Sequence, residues 1–306
     1  MEKTYVKKEC SKLTISISPE LKVWHQSAET PPKGCIIFVH GICHGAWCFK
    51  RFMAFFSENG YECFALNLRG HSENDRSDLK GARLFDYADD VAQCVAYCAR
   101  YCRENGIDEK PFLLGHSMGG AVVQKYAAKF SDTTKGLILF ASATAPRMPR
   151  LNTFFSLTKK KMRIAAKKSW GCKTSDAEIA QSAFFDGRIT SQEEISMYNT
   201  LLHEESFWIT FQDLYLPYAK KNKISTPILI IGSYADSYFS GKSLWKTASF
   251  YGCREKRNKR SASRIDLTFN ERNQLTILPD LCHDMMLDPE WEKPAKAVLD
   301  FMEKNK

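Results

Sequence analysis

The sequence contains no apolar run long enough to cross a bilayer and no paired cysteine spacing. Its longest apolar stretches, such as Cys35–Val39 and Leu137–Ala141, fall far short of the roughly 20 residues that a membrane-spanning helix needs. The segment Met1–Cys10 is charged and lacks the apolar centre of a secretory signal. The 11 cysteines are odd in number and scattered, which argues against a disulfide framework and favours a reducing compartment. We therefore expect a cytoplasmic location.

Repeats, low-complexity tracts and nucleic-acid motifs are also absent from the sequence. The net charge of +9 would permit anionic partners, but neither a Cys/His metal spacing nor an aromatic–glycine RNA signature accompanies it. Cys94, Cys98 and Cys102 recur every four residues along one face of a predicted helix, and we interpret them as small apolar core residues rather than a metal cluster. We expect no nucleic-acid partner, no metal and no cofactor, and the sequence does not indicate an oligomeric state.

Short apolar runs alternate with helical patterns through most of the chain. The predicted strands are Leu13–Ser18, Cys35–His40, Glu62–Leu68, Pro111–Gly115, Gly136–Ser142, Pro227–Gly232 and Gln274–Leu278. The predicted helices between and after them are Trp47–Asn59, Phe85–Glu104, Ala121–Phe130 and Pro289–Met302. Such alternation predicts an α/β fold, with a mostly parallel central sheet flanked by helices on both faces.

The alternation breaks after residue 142, where no convincing strand follows until residue 227. We predict that residues 1–142 and 223–306 form the α/β core and that residues 143–222 form an inserted helical cap, or lid. The basic and polar segment Cys253–Asn273 is predicted to be a loop insertion. Within the cap, Leu151–Lys173 interleaves six lysines and one arginine with apolar residues. We interpret it as an amphipathic cover over an apolar pocket, with peripheral contact to an anionic membrane as the alternative.

The pentapeptide Gly115-His116-Ser117-Met118-Gly119 follows an apolar strand and precedes a helix. This is the context that a G-x-S-x-G nucleophile turn requires. The two glycines are needed because the backbone passes close to itself at such a turn, which lifts the serine hydroxyl above the sheet edge. Ser117 is therefore the candidate nucleophile.

A serine nucleophile needs a histidine base and an acid that orients the base. His283 follows the predicted strand Gln274–Leu278, and Asp236 lies four residues after the predicted strand Pro227–Gly232, so the chain order is serine, acid, histidine. Asp284 and Asp288 are close to His283 in sequence and are not preferred as orienting groups. The predicted catalytic residues are therefore Ser117, Asp236 and His283.

The loop after Cys35–His40 is placed to complete this site. In this position a backbone N–H can face an oxyanion together with the N–H of the residue after the nucleophile. We assign these two amides to Ile42 and Met118. His44, Trp47 and His116 are assigned to the substrate pocket.

These motifs give the chain a resemblance to the α/β-hydrolase superfamily over nearly its whole length. The segment His40-Gly41-Ile42-Cys43-His44-Gly45-Ala46-Trp47 resembles the corresponding loop of plant esterases and hydroxynitrile lyases. The segment from His283 to Pro289, followed by Trp291, resembles a group of bacterial-type hydrolases, and Leu68-Arg69-Gly70-His71-Ser72 matches a loop that many members carry. The resemblance implies the same triad and the same oxyanion pair. Cys253–Asn273 departs from the family pattern.

Four functions remain open at this stage. The first is hydrolysis of a carboxylic ester, or a related acyl bond, of a small molecule through an acyl-enzyme. The second is a lipid-acting acylglycerol lipase or lysophospholipase. The third is a lyase, although hydroxynitrile lyases of the type resembled carry Thr where Gly41 stands and Lys where Asp284 stands, and an aspartate would repel a leaving cyanide. The fourth is a binding protein without catalysis, which a complete triad disfavours.

Overall fold

The computed structural model describes residues 13–130, 132–148, 184–220, 223–255 and 263–306. These residues form one nine-stranded sheet. Its strands are β1 (Leu13–Ser16), β2 (Lys22–Gln26), β3 (Gly34–Val39), β4 (Tyr61–Leu66), β5 (Phe112–His116), β6 (Gly136–Phe140), β7 (Ile228–Ser233), β8 (Ile265–Phe269) and β9 (Asn273–Leu278). Their order across the sheet is β1-β2-β4-β3-β5-β6-β7-β9-β8.

The six central strands, from β4 to β9 in this order, run parallel to one another. The strands β1, β2 and β8 pair antiparallel at the two margins. Because the central strands are parallel, the loops that follow β3, β5, β7 and β9 emerge at the same edge of the sheet. Ligand sites of open α/β sheets form at this carboxyl edge.

Helices cover both faces of the sheet. They are α1 (Lys50–Glu58), α2 (Leu84–Glu104), α3 (Met118–Lys129), α4 (Gln192–Leu201), α5 (Phe207–Phe211), α6 (Gly241–Phe250) and α7 (Glu292–Lys304). Short 3₁₀ turns occupy Ala46–Phe49, Arg76–Leu79 and Asp213–Tyr215. None of the helices within the described ranges has the length and apolar character needed to cross a membrane.

The two faces of the sheet have separate cores because successive side chains of a strand point to opposite faces. In β3, Ile37 and Val39 contribute to the core beneath α2, α3 and α6. Ile36 and Phe38 contribute to the opposite core, beneath α1 and α7. The strand is buried at every position, which explains why its sequence is a continuous apolar run rather than an alternating one.

The mostly parallel sheet with helices on both faces confirms the predicted fold class, but two strands and one helix escaped the sequence analysis. The strand β2 (K-V-W-H-Q) was missed because it carries polar residues. One of them, His25, is buried, and its Nε2 lies 2.7 Å from Glu62 Oε2. The loop predicted for Cys253–Asn273 was wrong in part. Its residues Ile265–Phe269 alternate polar with apolar and pair with β9 as an edge strand. The helix α6 was not predicted.

The cap prediction concerns a region that the structure describes only in part. The described stretch 184–220 contains α4 and α5 and no strand. The basic residues of Leu151–Lys173, and those from Lys256 to Arg260, lie outside the described residues. The division into core and cap therefore stays a prediction.

Candidate active site

Ser117 lies in a strained turn between β5 and α3. Its backbone φ of 53° and ψ of −118° are unusual for a residue with a side chain. A Cβ atom added at Gly119 would lie 2.4 Å from the carbonyl oxygen of Val39, and one added at Gly115 would lie 2.4 Å from the carbonyl oxygen of Gly119. Only glycine fits at these two positions, as the G-x-S-x-G spacing requires.

The structure brings Ser117, His283 and Asp236 together from three separate loops. His283 Nε2 lies 2.9 Å from Ser117 Oγ, and His283 Nδ1 lies 2.9 Å from Asp236 Oδ2. The second oxygen of Asp236 accepts hydrogen bonds from the backbone N–H groups of Tyr238 and Phe239, at 2.7 and 2.9 Å. All three side chains of the constellation are buried. Ser117 thus faces one nitrogen of the His283 ring, and Asp236 faces the other.

The surroundings of His283 favour the protonated imidazole more than water does around an isolated histidine. Burial lowers the pKa of His283, but the charge and hydrogen bond of Asp236 raise it by more, so the net pKa lies above the ordinary value. Burial raises the pKa of Asp236, but His283 and the two backbone donors lower it by more, so this carboxyl stays ionised. In general, an ionised carboxylate that faces an imidazole stabilises the protonated form of the ring.

The loop after β3 packs directly against the serine turn. A Cβ atom added at Gly41 would lie 2.8 Å from His116 Nδ1 and 3.0 Å from Ser117 Cβ. Ile42, the next residue, and Met118, the first residue of α3, carry the two amides assigned to the oxyanion site. Within the described part of the chain, neither amide donates to another group of the protein. Their role as oxyanion donors stays a prediction.

The three residues assigned to the substrate pocket are all buried beside this loop. His44 Nδ1 lies 2.6 Å from the carbonyl oxygen of Ile42, and its Nε2 lies 2.8 Å from Asp284 Oδ2. The ring of Trp47 stacks on that of His44, with centroids 5.2 Å apart. His116 Nε2 lies 3.2 Å from the carbonyl oxygen of His283. His44 and His116 thus contact protein groups, and their substrate-binding role stays a prediction.

The two aspartates that follow His283 do not contact its ring nitrogens. Asp284 pairs with His44, as described above. Asp288 accepts from Arg188 Nε at 2.6 Å and from the backbone N–H of Cys282 at 2.9 Å. These contacts agree with the preference for Asp236 as the orienting acid.

Two acidic residues near the site were missed by the sequence analysis. Asp186 accepts from the backbone N–H of His283 at 3.0 Å. Glu205 is 2% exposed and contacts His71, Tyr87 and the backbone of Cys43. Both come from the predicted cap, and no motif in that region connects them with the loops that they contact.

Two groups of described side chains have a spacing that could hold a metal ion. One is Cys35, Cys98 and Cys102, and the other is His116, His283 and Asp284. In the second group, both ring nitrogens of His283 already face Ser117 and Asp236. The three thiols lie in the apolar core between β3 and α2, and their interpretation as small apolar side chains stays a prediction.

A serine on a strained strand-to-helix turn, at the carboxyl edge of a mostly parallel sheet, defines a hydrolase of the α/β-hydrolase superfamily. The family model Hydrolase_4, described as serine aminopeptidase S33, matches residues 30–290. The chain therefore belongs to this family.

Relatives and a solved structure extend this assignment. Methylesterase 7 of Arabidopsis thaliana is 31% identical over 110 residues, which cover 36% of this chain and 40% of that protein. Pyrethroid hydrolase of Sphingobium wenxiniae is 33% identical over 112 residues, which cover 36% and 37%. The matches thus span about two fifths of these curated relatives. The thermostable carboxyl esterase of Bacillus coagulans has a TM-score of 0.65 at 15% identity, with coverage of 96% and 98%, which shows the shared fold.

Proposed function

We propose that the chain hydrolyses a carboxylic ester of a small molecule through an acyl-enzyme on Ser117. The observation that carries the proposal is the chain of contacts from Ser117 Oγ through the two ring nitrogens of His283 to Asp236 Oδ2, with 2.9 Å at each step. The name of the relative from Arabidopsis thaliana, a methylesterase, supports an ester substrate.

The geometry supports a two-step acyl transfer. His283 Nε2 accepts the hydroxyl proton while Ser117 Oγ attacks the acyl carbon, and Asp236 stabilises the resulting imidazolium. The amides of Ile42 and Met118 donate to the oxyanion of the tetrahedral intermediate. The imidazolium then protonates the leaving alcohol. A water molecule attacks the acyl-enzyme by the same route, which releases the acid and restores the serine.

The test combines ester turnover with covalent labelling. We expect the protein to hydrolyse p-nitrophenyl esters of graded chain length and to react with a fluorophosphonate. Replacing Ser117 by Ala removes the nucleophile, so turnover should fall by about 10⁵–10⁶-fold and labelling should stop. Ser57→Ala is the matched control, because Ser57 is also buried but lies in α1 and donates to the carbonyl oxygen of Ser27. Labelling that persists in Ser117→Ala would refute the assignment.

A lipid ester is the second candidate substrate. Phe207, Trp208 and Leu216 are each more than 40% exposed on the described part of the predicted cap. An apolar surface on a cap is suited to contact with lipid. In this case the protein should co-sediment with anionic vesicles at low salt and cleave an insoluble ester faster at their surface. Absence of sedimentation at low salt would leave the small-ester hydrolase.

We also propose a cytosolic location. The cysteines within the described ranges are free thiols, as is usual where glutathione keeps proteins reduced. Fractionation of the native cells, with an antibody to the chain, tests this proposal.

A further inference from the structure

The peptide group that joins Ile42 to Cys43 is held on both of its sides by buried side chains. Its carbonyl oxygen lies 2.6 Å from His44 Nδ1, and its N–H donates to Glu205 Oε2 at 3.4 Å. Cys43 has a φ of 65°, which is unfavourable for a residue with a side chain. Such a conformation persists only where the surroundings impose it. These contacts therefore restrain the loop segment that carries the N–H of Ile42, which belongs to the preceding peptide group.

The hydrogen-bond partners of a buried histidine reveal how many protons it carries. A carbonyl or carboxylate oxygen can only accept, so a ring nitrogen that faces one must carry a hydrogen. His40 Nδ1 faces the carbonyl oxygen of Gly41 at 2.9 Å, while its Nε2 accepts from the backbone N–H of Leu68 at 3.2 Å. One donor and one acceptor are satisfied by a neutral ring. Burial also lowers the pKa of His40 well below its ordinary value.

His44 differs from His40 because both of its nitrogens face oxygen acceptors. Nδ1 faces the carbonyl oxygen of Ile42, and Nε2 faces the carboxylate of Asp284. A neutral ring opposite an ionised carboxylate cannot form both bonds. The pair must hold one additional proton, either on the ring or on the carboxyl group. Burial raises the pKa of Asp284, but the charge and hydrogen bond of His44 lower it by more.

Glu205 holds the other side of the peptide in a way that depends less on pH. Its carboxylate accepts from Tyr87 Oη at 2.7 Å and from the backbone N–H of Ser206 at 2.8 Å, besides Cys43 and His71. Three of these donors are hydroxyl or backbone groups that keep their hydrogens when His71 loses a proton. The contact from Glu205 to Cys43 therefore survives that change, whereas the contact from His44 to Ile42 does not survive deprotonation of the His44–Asp284 pair.

His116 and the thiols and phenols that face this pair stay neutral through the pH range in question, while the carboxylates of Asp186, Asp236 and Asp288 also lie near these groups. Burial lowers the pKa of His116 to about 3. Burial raises the pKa of the thiols and phenols that face Asp284, which are Cys48, Cys282, Tyr198 and Tyr238. His40, on the loop side of His44, stays neutral as described. Apart from the pair itself, His283 is then the facing group that changes charge, and it does so at the acid side of the activity range.

We propose that His44 and Asp284 are positioning residues, whose shared additional proton keeps the Ile42 amide directed at the oxyanion. The proposal rests on the proposed ester hydrolysis, in which Ile42 donates to the tetrahedral intermediate. When the pair loses this proton at alkaline pH, His44 keeps a hydrogen on only one ring nitrogen. If the hydrogen stays on Nε2, the bond from Nδ1 to the Ile42 carbonyl is lost. If it stays on Nδ1, the lone pair of Nε2 faces the Asp284 carboxylate. The loop relaxes from its strained conformation, and the rate falls while the nucleophile and base remain intact.

The decisive variant is Asp284→Asn. An asparagine amide can donate to His44 Nε2, so a neutral ring keeps its Nδ1–H bond to Ile42 and the additional proton is no longer needed. We expect kcat to fall at alkaline pH in the wild type and to stay high in this variant. The acid limb should move to lower pH, because the Asp284 charge raises the pKa of His283. The profile thus widens on both sides. KM should change little, since the oxyanion bond strengthens only in the transition state.

Two further variants complete the series. Asp284→Ala removes the partner of His44, and we expect kcat to fall by about 10–100-fold. This loss should not exceed the loss of rate that follows removal of one oxyanion donor. Glu62→Gln is the matched control, since Glu62 forms a buried pair with His25 at the opposite edge of the sheet. Its pH profile should equal that of the wild type. An alkaline limb that is the same in Asp284→Asn and in the wild type would overturn the proposal.

A measurement on the wild-type protein keeps the proposal testable even if a variant fails to fold. In ¹⁵N-histidine NMR at pH 8, an imidazolium with hydrogens on both nitrogens should be visible for His44, and it should disappear with the alkaline loss of activity. A neutral His44 at pH 8 would overturn the proposal. Absence of Ser117-dependent turnover would instead refute the proposed function, and the NMR experiment separates the two failures.

Discussion

The core beneath α1 and the carboxyl edge of the sheet lie side by side but have opposite chemistry. The aromatic core, which we define as Phe38, Phe49, Phe52, Phe56 and Phe140, is fully buried and packs ring against ring. The carboxyl edge buries histidines and carboxylates instead. Aromatic burial stabilises a fold, whereas buried polar groups cost free energy unless each is paired.

Backbone strain is concentrated at the same edge. Cys43, Ser72, Ser117 and Ala141 all have a positive φ and lie a few residues after β3, β4, β5 and β6, respectively. Strain of about 1–3 kcal/mol at each such residue persists only where other contacts impose it. The comparison shows that the aromatic core stabilises the fold. The carboxyl edge destabilises it in part, because it contains strained backbone and buried polar groups.

The largest effect is expected for Asp236→Asn, which alters the edge without affecting the core. The amide leaves His283 in the wrong tautomer, so kcat should fall by about 10³–10⁴-fold while the fold remains. Steady-state kinetics with a p-nitrophenyl ester and the thermal midpoint measure the two quantities. Asp288→Asn is the control, because Asp288 contacts Arg188 and the Cys282 amide rather than the ring. If Asp288→Asn caused the greater loss of rate, Asp236 would not be the orienting acid.

The converse change is Phe52→Ala, which alters the aromatic core without affecting the edge. Phe52 lies 5.4–6.4 Å, centroid to centroid, from the rings of Phe38, Phe140 and Trp291. The cavity should lower the free energy of unfolding by about 3–5 kcal/mol. Urea denaturation measures this loss, and kcat per labelled active site should stay within about twofold because the cavity lies outside the carboxyl edge.

The matched control for Phe52→Ala is a phenylalanine on the surface. Phe85 is 53% exposed, so Phe85→Ala should change the unfolding free energy by less than about 1 kcal/mol. Equal destabilisation by the two substitutions would show that the aromatic core contributes no special stability.

Much of the candidate site and of the central sheet could be predicted from the sequence, because the signals for both are local. The serine turn is recognisable from five consecutive residues, since both glycines are required by contacts within the turn and with β3. His283 and Asp236 could be assigned from chain order and from the strands that precede them. The parallel strands β3, β5 and β7 appear as apolar runs because both faces of the sheet are covered.

The rest depends on contacts between distant parts of the chain. His44 and Asp284 are 240 residues apart, and Glu205 lies 162 residues after Cys43. No spacing rule connects such positions without an alignment. The strand β2 was missed because Lys22, His25 and Gln26 mask its pattern, and β8 was missed because its alternating residues follow a basic segment. Edge strands tolerate polar residues, so their sequences resemble loops.

A smaller effect tests whether the edge is strained. At Ser117, both Ala and Gly remove the hydroxyl, but only Gly adopts a φ of 53° and a ψ of −118° without strain. We expect Ser117→Gly to be more stable than Ser117→Ala by about 1 kcal/mol, after the entropic cost of glycine is subtracted. At Ser57, within α1, we expect the opposite order: Ser57→Ala should be more stable than Ser57→Gly by about 1 kcal/mol, because glycine is unfavourable in a helix. Unfolding curves of the four variants measure both differences. The same order at both sites would contradict strain at Ser117.

The smallest effect concerns the acid limb of the pH profile. Only neutral His283 can accept the serine proton, and Asp236 raises its pKa above 6.5 despite burial. The plot of kcat/KM should therefore reach half of its maximum above pH 6.5. Asp186 also raises the pKa of His283 and accepts from its backbone N–H, a bond that an asparagine oxygen can keep. Asp186→Asn should thus move the limb to lower pH, whereas Asp132→Asn, at an exposed turn, should not move it.

Stability should change in the opposite direction over the same pH range. A group whose pKa is raised in the folded state stabilises the fold below its ordinary pKa, and this contribution is lost as the pH rises through the raised value. The free energy of unfolding, measured in urea from pH 6 to 8, should therefore decline as kcat/KM increases, and Asp186→Asn should shift both curves together. A shift of the activity curve alone would mean that another group, such as His71, whose pKa is also raised in the folded state, dominates the change in stability.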